Sequence, residues 1–142
     1  APNAARPQAP GPKTVRVAVV GAHLSGMPLN YQLVERSAQF VEKTHTSAGY
    51  RFYALPGTVP PKPGLLRVAP GTGAPIALEL WDMPIEHYGS FVTLVAPPLS
   101  IGTLTLADGR NVQGFLCEAL ATQGARDITE LGGWRAYIAS LS

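Results

Sequence analysis

The sequence has little charge, a single cysteine and no concentration of basic residues. Only 14% of its 142 residues are charged, and eleven Lys and Arg against nine Asp and Glu leave a formal net charge of +2. Nucleic acids and anionic membranes attract clustered Lys and Arg, so neither is expected as a partner. Cys117 has no second cysteine for an internal disulfide, and no Cys/His spacing resembles a zinc site. A metal site is therefore not expected.

Long hydrophobic runs are also missing. The longest apolar stretches are too short to cross a bilayer and are interrupted by proline, and the first residues lack the hydrophobic core of a signal peptide. We therefore expect a cytoplasmic protein. Hydrophobic residues nevertheless make up 46% of the chain, which is enough to build one buried core.

The first residues differ in composition from the rest of the chain. The opening APNAARPQAPGP is rich in Pro and Ala and shows neither helical nor strand periodicity. We predict a flexible arm or linker over residues 1–13 and one folded domain over residues 14–142. An arm of this kind suits a domain that follows another one, and a functionally unimportant terminus explains the composition equally well.

Alternation and turn signals predict six or seven short strands with two or three short helices. The run TVRVAVV at residues 14–20 alternates as a strand does, and residues 108–109 predict a hairpin turn. A further hairpin is expected at residues 48–49, and a turn between two strands at residues 70–73. Because neighbouring strands dominate, the pattern indicates an α+β domain whose mixed sheet curls into a small barrel.

Helix ends are predicted at three places. Asn30 is placed to cap a short helix, and Pro84 to open another. The pattern DITE at residues 127–130 resembles a capping box before a last helix, in which Gly132 and Gly133 would lie. Two glycines inside a helix cost about 1 kcal/mol each relative to alanine, which suggests a close approach of another backbone there.

The loop GAHLSGMPLN at residues 21–30 is the first candidate for a functional site. It leaves the first strand, and Gly21 and Gly26 permit backbone conformations that expose N–H groups to a ligand. Between them lie His23, which can exchange a proton near neutral pH, and Ser25. Alternatively, the glycines only form turns and His23 packs beneath them.

Glu79 and Arg135 are further candidates. Glu79 has apolar neighbours in the run IALELW, so in a cavity its pKa would rise by desolvation, whereas on a half-exposed strand it would only face solvent. Arg135 suits a two-pronged contact with a carboxylate of a ligand, or an ion pair with Glu118. His45 and His87 are expected at the surface.

Four blocks taken together resemble a known family. GAHLSGMPLN, ELWDMP, GFLCEALATQGARDIT and GGWRAY look, in this order, like the C-terminal domain of allophanate hydrolase, an enzyme of urea breakdown. The resemblance extends from Val15 to about Leu141. It implies a γ-glutamylcyclotransferase-like fold, which is a small mixed barrel with flanking helices around a cavity.

The resemblance also implies an activity. In full-length allophanate hydrolases an amidase domain with a Ser-Ser-Lys set removes ammonia from allophanate, and nothing in this chain matches that domain. The C-terminal domain is understood to decarboxylate the product, N-carboxycarbamate, which is a small dianion. The chain is thus expected to be either an excised domain or a free-standing relative that works with an amidase.

The resemblance also implies a role for each candidate residue. Backbone N–H groups of residues 21–26 and the guanidinium of Arg135 would hold the two carboxylates, and His23 would transfer the proton. Ser25 and Asn30 would orient the substrate or the loop. Glu79 would fix the tautomer of His23 or act as a second acid. Neither a metal nor an organic cofactor is expected.

Two other functions stay open. The domain could be a non-catalytic accessory domain that mediates assembly with an amidase, and a homodimer is also conceivable. A γ-glutamyl cyclotransferase is less favoured, because the Tyr-Gly-Ser-Leu loop of those enzymes is replaced by residues 21–25. The helix after ELW carries Glu86, His87 and Tyr88 but no clear match to their catalytic Glu.

Overall fold

A computed structural model describes residues 13–142, so the predicted arm lies outside the described residues except for Lys13. The eight strands, in chain order, are β1 (Thr14–Val19), β2 (Gln39–His45), β3 (Tyr50–Ala54), β4 (Pro63–Arg67), β5 (Ala77–Pro84), β6 (Leu99–Thr105), β7 (Asn111–Cys117) and β8 (Arg126–Asp127). The three α-helices are α1 (Tyr31–Val34), α2 (Ile85–Val92) and α3 (Trp134–Ser140). Short 3-10 helices cover Ala119–Thr122 and Thr129–Leu131.

Five strands form a mixed sheet in the order β2-β5-β1-β7-β6. β1 is antiparallel to β5 and parallel to β7, so it occupies the centre. Its residues Val17, Ala18 and Val19 are all fully buried, which means that both faces of the strand are covered. A central strand of this kind fixes the position of the loop that follows it.

The two edges of this sheet meet at one end. Beyond β2 and β6, Thr46 forms a bridge with Leu106, and the Ser47 N–H donates to the Thr105 carbonyl over 2.9 Å. The second sheet, in the order β4-β3-β8, contributes Phe52 to the same core. The predicted α+β, barrel-like class is confirmed, with eight strands in two sheets in place of the expected six or seven.

One of the predicted hairpins is present in the structure and the other is not. β6 and β7 pair as expected around Gly109, which adopts the left-handed conformation at φ +92°. The predicted hairpin at residues 48–49 is wrong, because β2 and β3 belong to different sheets. The predicted turn at residues 70–73 is present, but it joins β4 and β5 of different sheets. A Cβ on Gly73 would lie 2.6 Å from the backbone of Tyr50, so this turn packs across β3.

Three helix predictions also need correction. Gly132 adopts φ +78° and ends the 3-10 helix, so the two glycines precede α3 and do not lie inside it. The predicted capping box is wrong: Asp127 Oδ1 accepts from the Thr129 N–H over 2.9 Å, but Ile128 is the N-cap residue of the 3-10 helix. Asn30 makes no side-chain cap, because its amide donates to the His23 carbonyl over 2.8 Å. Within residues 13–142 no helix is long and apolar enough to span a membrane.

Candidate functional site

The loop after β1 is shaped by close packing and by successive turns. A Cβ on Gly21 would overlap the ring of Pro63, so only glycine fits where the loop passes β4. The Leu24 N–H donates to the Gly21 carbonyl over 3.0 Å, which closes the first turn. Gly26 follows at φ +81°, a conformation that strongly favours glycine. The loop is therefore built for one defined conformation.

His23 projects from this loop into an aromatic environment. Its ring stacks on Phe115 at 5.0 Å between centroids and meets Phe91 edge-on at 5.5 Å. Nε2 lies 2.7 Å from the amide oxygen of Gln32, which places the hydrogen on Nε2 and leaves the lone pair on Nδ1. Burial lowers the pKa of His23 more than the Gln32 bond raises it, and the nearby charge of Lys62 lowers it further. The imidazole is accordingly neutral at pH 7.

The His23 cavity, named after this side chain, has a volume of about 160 Å³. Its polar lining comes from the loop backbone and from His23, Gln32 and Lys62, and its apolar walls include Phe115. Among residues 13–142, Lys62 forms no ion pair. No carboxylate of the described residues lines the cavity. A cation and hydrogen-bond donors without a competing carboxylate suit a small anion.

Three loop residues that line the same cavity carry unpaired backbone donors within the described part of the chain. Within the described part of the chain, the N–H groups of Gly21, Ala22 and His23 have no acceptor. All three residues line the cavity. Consecutive unpaired N–H groups in turn conformations form anion-binding concavities, and an anion there would satisfy them.

Glu79 lies on β5 behind the loop and is only 1% exposed. Its Oε1 accepts from the Ser25 N–H and hydroxyl, both at 2.9 Å, and from the Trp81 indole at 3.2 Å. Its Oε2 accepts from Arg135 at 2.8 Å. Burial alone would raise the pKa of Glu79, but the bonds from Arg135, Ser25 and Trp81 outweigh it and lower the pKa. Glu79 is therefore an ionised carboxylate, and the predicted rise of its pKa is wrong.

Arg135 borders a different hollow. The Arg135 cavity, of about 440 Å³, is lined by Arg135 and Glu79 together with Lys43, His45 and the backbone of Gly132. Neither His23 nor Gln32 nor Lys62 lines it. The loop thus separates two cavities, with His23 on one side and the Glu79–Arg135 pair on the other.

A sequence model of the family described as allophanate hydrolase C-terminal domain matches residues 15–139. The chain belongs to this family. A urea amidolyase of Lachancea kluyveri is 44% identical over 128 residues, which are 88% of this chain and 7% of that relative. The chain thus spans only a small part of the curated relatives it matches.

Solved structures agree with this family assignment. A Kluyveromyces lactis allophanate hydrolase is 43% identical with a TM-score of 0.88, covering 92% of this chain and 22% of that one. A uropathogenic E. coli-specific protein is 35% identical with a TM-score of 0.82, covering 89% of this chain and 97% of that one. An AIG2-like protein from Mus musculus, at 19% identity and a TM-score of 0.54 over 77% of this chain and 79% of that one, shows the fold alone. The γ-glutamylcyclotransferase-like fold is thereby confirmed.

In this allophanate hydrolase C-terminal domain, four of the predicted site residues divide between the two cavities, and Ser25, Gly26 and Asn30 line neither. Gly21 and His23 line the first, whereas Glu79 and Arg135 line the second. The hypothesis that Glu79 fixes the tautomer of His23 is wrong, because Gln32 makes the hydrogen bond to the imidazole. A pocket shared by His23 and Arg135 is not found among the described residues.

The alternatives left open for these two residues are also decided. The structure excludes a solvent-facing Glu79, since that side chain is buried. Arg135 pairs with Glu79 and not with the exposed Glu118. Of the minor predictions, His45 is exposed as expected, and Cys117 is a buried thiol whose pKa is raised by burial.

Sequence reasoning missed three residues of the His23 cavity. Lys62 lies in the proline-rich segment before β4, Gln32 lies in α1 and Phe115 lies in β7. Phe115 stands in one of the blocks that carry the family resemblance, but Lys62 and Gln32 carried no motif. Only the packing of β4 and α1 around the loop brings them to His23.

Proposed function

We propose that this domain decarboxylates N-carboxycarbamate in the His23 cavity, as a step in the breakdown of allophanate formed from urea. The supporting observation is the lining of that cavity, which combines the half-buried imidazole of His23, the Lys62 ammonium and three backbone N–H groups. Among the described residues these N–H groups have no acceptor, Lys62 has no ion-pair partner and no carboxylate lines the cavity. The names of two relatives, urea amidolyase and allophanate hydrolase, support this proposal.

Substrate binding follows from charge. N-carboxycarbamate carries two carboxylates on one nitrogen, so a site for it needs donors on two sides. The N–H groups of Gly21, Ala22 and His23 would hold one carboxylate and Lys62 the other. Gln32 and Asn30 act on His23, Gln32 through the imidazole and Asn30 through the carbonyl. These contacts keep the ring and its backbone in place.

Proton transfer follows from the environment of the imidazole. In the free domain burial keeps His23 neutral, but a bound dianion would favour the imidazolium and so draw a proton from solvent. One C–N bond of the substrate then breaks, its electron pair stays on nitrogen, and carbon dioxide leaves. The imidazolium donates its proton to that nitrogen, so the product is carbamate. Carbamate then takes up a proton from solvent and decomposes to ammonia and carbon dioxide.

The proposed reaction requires a second enzyme that makes N-carboxycarbamate. Because the relatives are many times longer than this chain, the remainder of such a protein can carry the amidase that makes this compound. The same observation favours a second candidate function, a non-catalytic domain that assembles with an amidase. The two candidates differ in whether the domain itself accelerates the loss of carbon dioxide.

The test is carbon dioxide release from N-carboxycarbamate freshly generated by a separate amidase, since the compound also decomposes in water. Wild type is expected to exceed the buffer rate, and His23→Ala to reduce that excess by about 100-fold, the lower range for loss of a general acid. His87→Ala is the control and should match wild type. If wild type and His23→Ala both match buffer, the accessory function is correct and the catalytic proposal is wrong.

A further inference from the structure

We infer that Glu79 and Arg135 are positioning residues, which clamp Ser25 and thereby hold the N–H groups of residues 21–23 in their binding arrangement. This inference rests on the proposed function of the His23 cavity. It replaces the expectation that the two side chains touch the substrate, because they line the other cavity.

The contacts of Ser25 carry the inference. All three of its polar groups are bound by this pair: Glu79 accepts from the N–H and from the hydroxyl, both at 2.9 Å. Arg135 donates to the Ser25 carbonyl at 2.8 Å and to Glu79 at 2.8 Å. One residue of the loop is thus fixed from its backbone donor, its backbone acceptor and its side chain at once.

The distribution of burial indicates that the clamp serves the loop. Glu79 is fully enclosed and satisfied, whereas the Arg135 side chain remains 46% exposed. A pair of this kind contributes little net stability, since the cost of desolvating the carboxylate offsets the attraction. Its defined geometry instead selects one conformation of the segment that it holds.

The contacts of Glu79 and Arg135 with Ser25 are separated from the cavity by the single turn of residues 21–24. Ser25 follows His23 by two residues, and the Leu24 N–H to Gly21 carbonyl bond joins the clamped end to the first donor residue. On the far side Asn30 holds the His23 carbonyl. A displacement at Ser25 would therefore move the donors, and a displacement of about 1 Å in a catalytic site costs up to about 100-fold in rate.

The experiment compares Arg135→Met with Arg16→Met. Arg16 forms a two-pronged pair with Asp82, three residues beyond Glu79 on the same strand, but it does not contact the loop. Arg135→Met is expected to weaken malonate binding and to lower kcat/KM for N-carboxycarbamate by about tenfold, and to shift the imidazole NMR signals of His23. Arg16→Met should change none of these. Arg135→Lys should restore part of the loss, because its ammonium can still donate.

Three outcomes overturn the inference: equal effects of Arg135→Met and Arg16→Met, unchanged His23 signals, or no recovery with Arg135→Lys. If Arg135→Met does not fold, Arg135→Gln takes its place and is judged by the same comparisons. The proposed function fails separately. If His23→Ala leaves carbon dioxide release unchanged while Arg135→Met both weakens malonate binding and shifts the His23 signals, the clamp is correct and the decarboxylation is not.

Discussion

His23 and Glu79 show how burial acts on two titratable side chains with different partners. The partner of His23 is a neutral amide, so burial dominates and lowers the pKa of the imidazole. Glu79 is more enclosed, yet four donors reverse the effect of burial and its pKa falls as well. One group is therefore held neutral and ready to take up a proton, whereas the other is held ionised and fully engaged.

The lowered pKa of His23 predicts a pH dependence of stability. Below its ordinary pKa of 6.5, the unfolded chain protonates this side chain more readily than the folded protein does. The free energy of unfolding should therefore decrease as the pH falls from 6.5 toward the lower folded pKa. Urea unfolding across this interval should show the slope in wild type and in His87→Gln, and a weaker slope in His23→Gln. An equal slope in His23→Gln would contradict the assignment.

The sequence indicated His23 because glycines flank it in a loop that leaves a strand. Glu79 was also indicated, but its partners were not, since Ser25 and Arg135 are 54 and 56 residues away from it. Lys62 could not be predicted at all. Its place in the site depends on how β4 packs against the loop, and residue patterns contain no such information.

At the scale of elements, the start of β4 packs against the loop that follows β1. Pro63 begins β4 and lies against Gly21, so the two segments touch where the cavity starts. β1 itself is held between β5 and β7, which leaves little freedom for the loop to retreat. The cavity wall therefore depends on a glycine with no space for a side chain.

Gly21→Ala is expected to destabilise the fold by about 1–3 kcal/mol, because the new methyl group meets the rigid ring of Pro63. Gly89→Ala is the matched control: that glycine lies in α2 with open space around it, so alanine should stabilise by up to about 1 kcal/mol. Urea unfolding of both variants measures the difference. Equal stabilities would show that the loop can move away from β4.

Strands and turns could be predicted where a single sequence pattern was enough to determine the local structure. The β6–β7 hairpin follows from its Asp-Gly turn, and the extended form of β1 from strict alternation. The connections at residues 48–49 and 70–73 also contain glycine, yet they lead from one sheet to the other. Pairing over long distances decides between a hairpin and such a corner, because β5 is paired on both edges, with β1 and with β2.

At the scale of the whole molecule, the closed sheet places two cavities on opposite sides of one loop. The His23 cavity is lined by α1, β4 and β7, and the Arg135 cavity by β2, β5 and α3. Sequence reasoning merged them into one site, because it had no means to tell on which side of residues 21–30 each side chain lies. The central claim is that the first cavity alone takes the dianion.

A crystal structure of the domain soaked with malonate, a stable analogue with two carboxylates on one carbon, tests this claim most directly. Malonate is expected in the His23 cavity, with one carboxylate on the N–H groups of Gly21, Ala22 and His23 and the other near Lys62. Malonate bound to Arg135 in the other cavity, with the His23 cavity empty at saturation, would contradict the account.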